Sequence, residues 1–409
     1  MKKSLLKNYA KLIVQVGANI QKGQDVVITF DPEITYFANM VAEECLKAKC
    51  GQIRMNYMND ELTKLMFRHK SVKELSKIND WQIAQMEYET KTLPTTIYLE
   101  SQDPDGLKDV NHKKMAEVRQ NKYLITKKYI DARQDKYQWV IAGVPGEKWA
   151  KKVFPNLRKS QAIEKLWEEI LKASHAYNDD PFTSWQKHEE ELKDKMNKLN
   201  SLHLDHLHYK ASNGTDFTVW LSDDIIWMAG GEKCQTNNVQ YSPNIPTEEC
   251  FTTPIKGRAE GIVYATKPLS YNSTIIEDFS VRFENGKVVE VKAKKNQDVL
   301  EQMVKMDENA CYLGEVALVP YESPINLSNI LFFNTLYDEN ACCHLALGNG
   351  FGSLVKGYEN MTLEQIKEKG VNSSMIHVDF MIGCRDLNIT GYTKDGQEIK
   401  IFENGTWAI

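Results

Sequence analysis

No two cysteines in this sequence are spaced Cys-x-x-Cys, although eight cysteines are present. That excludes zinc-ribbon and thioredoxin-type sites. No uncharged apolar run approaches the roughly 20 residues that a membrane-spanning helix needs. In the opening stretch MKKSLLKNYAKLIVQVGANI, Lys7 and Lys11 interrupt the apolar residues and no small-residue cleavage site follows. A signal peptide is therefore not expected, and the cysteines read as free thiols in a reducing cytoplasm. A basic stripe with interleaved aromatics is also missing. With 51 Lys and Arg against 56 Asp and Glu, and a net charge of -5, a nucleic-acid partner has no support. There is no Gly-x-Ser-x-Gly elbow and no Walker A loop, which argues against a serine hydrolase and a P-loop NTPase. His188-Glu189 starts a possible His-Glu-x-x-His, but position 192 is leucine. Gly348, Gly350 and Gly352 form Gly-x-Gly-x-Gly, which is not the dinucleotide fingerprint.

What is present is an ordinary globular balance, 42% hydrophobic and 26% charged over 409 residues. At about 150 residues per domain this length suggests two or three domains. Leu5, Tyr9, Leu12, Ile13 and Val16 fall at helical spacing. Val26 to Phe30 reads as a buried strand. Asp31 is a good N-cap, with Pro32 at the first helical position. The following helix carries Phe37, Met40, Val41 and Cys45 on one face and stops near Gly51, before a strand from Ile53 to Tyr57. Such a strand-helix-strand unit implies a parallel sheet. The pattern returns at Thr95 to Leu99, a polar helical stretch, and Trp139 to Val144. Residues 1–182 therefore read as an α/β N-terminal domain with a mainly parallel sheet. Asp179-Asp180-Pro181 marks a break, and the charged helix HEEELKDKMNKL opens a second domain. From there the texture is short β-rich runs separated by Asn213-Gly214, Asn285-Gly286, Asp395-Gly396 and Asn404-Gly405, which are hairpin signals. Residues 183–409 read as a larger, β-rich α+β catalytic domain.

Metal-ligand residue types gather in the apolar segments of this second half. In MIHVDFMIG, strand alternation puts His377 and Asp379 on one face and Ile376, Val378 and Phe380 on the other. A buried His–Asp hydrogen bond would explain that pair alone. Glu315 lies in the core-like strand CYLGEVALVP, where a carboxylate is expensive unless compensated. His344 lies in the uncharged run ACCHLALGNG. In NIPTEECFTTP, Glu248 and Glu249 are adjacent, so only one can face a given site. Each has a bland explanation singly, but a shared metal site explains all of them. Two divalent ions carry +4, and Glu249, Glu315, Asp379 and a bridging hydroxide would balance them, as in two-metal hydrolytic centres. An oxygen and nitrogen ligand set without thiolate suits zinc, cobalt or manganese. His203, His206 and His208 form a competing cluster, but leucines fall on both of its faces and it does not read as a ligand set.

At these residues the sequence resembles the aminopeptidase T/aminopeptidase S family of metallopeptidases. The carrying motifs are NIPTEECFTTP, GEVALVP, HLALG, VKG and GVNSSMIHVDFMIG, followed by RDLNITGYTKDG. The resemblance spans essentially the whole chain and is densest after residue 240. It implies that Glu249, Glu315, His344, His377 and Asp379 hold two metals. It further implies a homodimer with active sites facing an enclosed interior. It departs at position 351, where the family carries an active-site tyrosine and this chain has Phe351. The expected reaction is removal of the N-terminal residue from peptides with a free N-terminus. Glu315 or Glu249 is the expected proton carrier, and Glu248 is a candidate for holding the substrate ammonium. The alternatives are a two-metal amidohydrolase of small molecules and a peptide-binding protein with reduced or lost turnover.

Overall fold

The computed structural model describes residues 1–409, and the chain forms two compact units. The first comprises Met1–Lys187 together with Gly231–Thr247. Its sheet is five-stranded and parallel, in the order Asn244–Ile245, Trp139–Gly143, Thr95–Glu100, Val26–Phe30, Ile53–Tyr57. The expected punctuation is in place: the Asp31 carboxylate accepts the Glu33 backbone N–H at 2.8 Å, and Pro32 opens a 3-10 turn that leads into the helix Thr35–Lys47. That helix buries Phe37, Ala38, Val41 and Cys45, while Met40 is only half-buried. Tyr9 and Trp167, from the helices Lys3–Leu12 and Lys159–Ala173, close against Phe37 with ring centroids 5.8 and 5.2 Å from it. The sequence reading placed one boundary near residue 182 and had no place for the return at 231–247. Asn244–Ile245 is only two residues long, too short to carry a periodic signal, yet it adds a parallel edge to the Trp139–Gly143 strand.

The second unit comprises His188–Gly230 and Glu248–Ile409. It contains a nine-stranded antiparallel sheet built from residues 204–220, 259–295 and 388–407. The turn pairs predicted from sequence sit between its strands. Asn285-Gly286 and Asn404-Gly405 hold both residues at positive φ, the left-handed conformation a tight hairpin turn requires.

A second, five-stranded antiparallel sheet in this unit orders its strands His377–Met381, His344–Gly348, Leu313–Leu318, Cys250–Thr252 and Met228–Ala229. Val316, Leu318, Leu345, Leu347, Val378 and Phe380 are buried and alternate with the polar positions of the same strands. The Phe380 ring lies 5.9 Å from that of Phe279, in the nine-stranded sheet. One face of the smaller sheet is thereby committed to the core. The other is left for the ionisable side chains. Gly348 ends its strand at φ +109°, where a Cβ would stand 2.1 Å from the Ile376 carbonyl oxygen. Only glycine allows this close an approach to the chain that enters the His377 strand.

Candidate metal centre

The strand register decides which side chains meet. Glu315 is paired with Ala346, and Ala346 with Asp379. Ala317 is paired with His344 and Gly348 with His377. Residues in register point to the same side of a sheet, and so do residues two apart on a strand. Glu315, His344, His377 and Asp379 thus share one face, with Ala317, Ala346 and Gly348 between them. Phe251 is paired with Ala317 and stands on that face too. Glu249 precedes it by two residues.

The side chains converge. Glu249 Oε2 lies 3.1 Å from His344 Nε2, Glu315 Oε2 3.0 Å from His377 Nε2, and Asp379 Oδ1 3.2 Å from the same His377 nitrogen. Two groups of ligand-type atoms form, each within 4.8 Å: Glu249, Glu315 and His344, and Glu315, His377 and Asp379. Glu315 belongs to both. Four of the five side chains are nearly sealed, and His377, at 28% exposure, marks the open side.

The imidazoles are oriented from behind. His377 Nδ1 lies 2.7 Å from the Asn349 carbonyl oxygen, and His344 Nδ1 lies 3.3 Å from that of Cys342. A carbonyl only accepts, so each Nδ1 carries the proton and each Nε2 is turned to the carboxylates. Glu249 Oε2 and Asp379 Oδ1 are buried with no aligned hydrogen-bond partner, despite an imidazole nitrogen about 3 Å away. Nitrogen and oxygen ligands about 2.0–2.2 Å from one cation stand about 3 Å apart. The donor set and its unsatisfied oxygens therefore fit divalent metal.

The electrostatics agree. Burial pushes the Glu315 carboxyl up, to about 7, with the Glu249 charge adding to it and the His377 hydrogen bond opposing. Burial disfavours charge on His344, but Glu249, Glu315 and Asp379 outweigh it and raise it to about 9. His377 is raised well above its ordinary range in the same way, with Asp379 the largest of its carboxylate partners. Asp379 is held low because its imidazole neighbour outweighs burial. Without cations, protons neutralise this cluster.

A sixth residue stands here that the sequence reading did not single out. Burial, then the charges of Asp379, Glu249 and Glu315, push the Glu339 carboxyl well above its ordinary value. Its setting, DENACC, looks like a solvated turn, and only its position five residues before His344 could have drawn attention. Glu248 is placed apart from the five: its Oε1 lies 3.8 Å from His188 Nε2. Phe351 packs its ring 5.0 Å from His377 and 5.2 Å from Phe251, and its backbone N–H donates to Thr253 Oγ1 at 2.9 Å. His206 and His208 pair with Asp205 and Asp216, at 2.9 and 2.8 Å, away from the cluster.

The family profile of the thermophilic metalloproteases (M29) matches residues 2–407. The chain belongs to this family. It is 40% identical to aminopeptidase AmpS of Bacillus subtilis over 406 residues, covering 98% of each chain. It is 32% identical to aminopeptidase T of Thermus thermophilus over 405 residues, 99% of this chain and 98% of that one. The solved structure of wild-type AmpT from Thermus thermophilus superposes with a TM-score of 0.89 at 32% identity, covering both chains completely. As an M29 metalloprotease the chain uses a divalent metal cofactor. No helix is long and apolar enough to cross a membrane.

Two outcomes follow from this geometry. Ala346 is flanked across the sheet by Glu315 and Asp379, so Ala346→Leu should fill the space between ligands. Metal content by elemental analysis should fall at least tenfold while far-ultraviolet circular dichroism is kept; normal content would contradict the register argument. The second concerns the metal-free protein. A carboxyl raised from 4.5 to about 7 makes stability fall as pH rises through that interval. A histidine raised from 6.5 to about 9 contributes stability below 6.5 that is lost as pH rises through 9. Both act in one direction, so chelated protein should melt at progressively lower temperature from about pH 5 to about pH 9. Added metal should remove most of that slope, because cations take the place of the protons. A flat profile without metal would refute the coupling.

Proposed function

We propose that this metal-dependent aminopeptidase removes the N-terminal residue of peptides at a two-metal centre. In it, Glu249, Glu315 and His344 hold one divalent cation, and Glu315, His377 and Asp379 hold the other. The observation that carries this reading is the pair of ligand groups sharing Glu315. Zinc, cobalt and manganese suit the oxygen and nitrogen donors. Bound there, the cations would polarise the scissile carbonyl and lower the pKa of a water.

The chain's own residues do the rest. Glu249, Glu315, Asp379 and Glu339 together supply four negative charges, matching two divalent cations. Glu339 belongs to neither ligand group, which leaves it free to take a proton and deliver it to the leaving amine; Glu249 and Glu315 are the other candidates. The substrate α-ammonium is drawn to the same acidic cluster. Glu248, which stands apart from the five, is its candidate. Cys342 and Asn349 hold the imidazoles with their carbonyls, so that Nε2 keeps its direction through the reaction. Phe251 and Phe351 make the wall beside His377 apolar.

In this reading the second unit is the catalytic domain, which the sequence places at 183–409. Eight free thiols suit a cytoplasmic protein, and the homodimer with an enclosed interior comes from the resemblance alone.

Aminoacyl chromogenic amides test the reaction. Turnover should be lost with a chelator, return with cobalt, zinc or manganese, and vanish when the α-amine is acetylated. Full activity in metal-free protein would overturn the reading, and equal cleavage of acetylated substrates would favour a small-molecule amidohydrolase. Phe351→Tyr tests the departure from the family. A hydroxyl added beside His377 can donate to a developing oxyanion, and kcat should rise about tenfold or more, about 1.4 kcal/mol. An unchanged kcat would mean that the phenyl ring suffices.

A further inference from the structure

Asn340 lies next to Glu339 and is completely buried. A buried carboxamide must satisfy both its ends, and here each end reaches a different segment of the site. Oδ1 accepts the backbone N–H of Glu248 at 2.6 Å. Nδ2 donates to the Leu336 carbonyl oxygen at 2.9 Å. The backbone carbonyl of Asn340 accepts from Ser323 Oγ at 2.7 Å. The Glu248–Glu249 segment is thereby bolted to residues 336–340, four residues ahead of His344. The other ligand group is held by separate means. Asn349 holds the His377 ring, and Asp307 Oδ2 accepts from Ser374 Oγ and the Met375 N–H, at 2.7 Å each, in the segment entering the His377 strand.

We propose that Asn340 is a positioning residue for one cation site only, the one made by Glu249, Glu315 and His344. It sets the backbone that carries Glu249 against the segment that carries Glu339 and leads to His344. The inference rests on the two-metal reading. It follows from side-chain chemistry: the carboxamide offers an acceptor to Glu248 and a donor to Leu336 from one position. Aspartate keeps the acceptor and loses the donor. Alanine loses both and leaves two buried backbone groups unpaired.

The test is calorimetric titration of chelated, dialysed protein with cobalt(II), with thermal melting of each metal-free variant alongside. Wild type should bind two ions, and if it does not, the two-metal reading fails before this inference is reached. Asn340→Ala should weaken one binding event at least tenfold and leave the other within twofold. Asn340→Asp should restore most of the weakened event, since the bond to Glu248 survives. Ser323→Ala loosens the same segment from outside the site and should weaken the same event by a smaller factor, which keeps the question open to measurement if Asn340→Ala fails to fold. Loss of melting temperature with both events unchanged would make Asn340 merely structural. Equal weakening of both events, in Asn340→Ala or in Ser323→Ala, would equally overturn the assignment to one site.

Discussion

The mutual repulsion of carboxylates gathered on one face of a small sheet is the constraint around which the second unit is organised. Glu249, Glu315, Asp379 and Glu339 feel one another's charge in a setting that water scarcely reaches. Burial and like charge raise the Glu315 and Glu339 carboxyls, while the imidazole beside it holds Asp379 low. Such a cluster is tolerable only when protons or cations occupy it. Divalent cations bound at this face would let it carry its full negative charge at neutral pH. The fold answers by holding each imidazole from behind with a backbone carbonyl and by keeping the positions between these side chains small.

The scaffold spreads these groups over three short strands and the residue that precedes a fourth. Each contributes at most two ionisable groups, and each also lends apolar side chains to the opposite face. Ligand placement is then a property of register more than of loop conformation. This explains how a structure only 32% identical in sequence can superpose at a TM-score of 0.89.

Much of this was legible in the sequence, for identifiable reasons. The strands around Val26 and Trp139 are apolar runs bounded by turn chemistry, and Asn285-Gly286 and Asn404-Gly405 fall where two left-handed residues are needed. His377 and Asp379 were assigned to one face because a strand has a period of two. What escaped notice lacked such a period. Met228–Ala229 and Asn244–Ile245 are two-residue strands whose pairing is dictated by tertiary contact. Glu339 and Asn340 sit in a polar turn that reads as solvent-exposed, and only the packed chain brings them beneath the site. Glu248 and Glu249 could not be told apart by position. The structure separates them, sending one towards His188 and the other towards His344.

The alternation of site and core residues along these strands, broken only by a bulge between Leu313 and Glu315, also limits how such proteins can diverge. A substitution on the apolar face alters packing and leaves the ligands where they are. Inserting or deleting a single residue inside Glu315–Leu318, His344–Gly348 or His377–Met381 would exchange the two faces. It would drive a carboxylate or an imidazole into the hydrocarbon interior and present leucine or phenylalanine to the cations. The chemistry therefore tolerates drift in composition on the apolar face but not a change of length within these segments, whereas the turns that join them can lengthen without exchanging the faces.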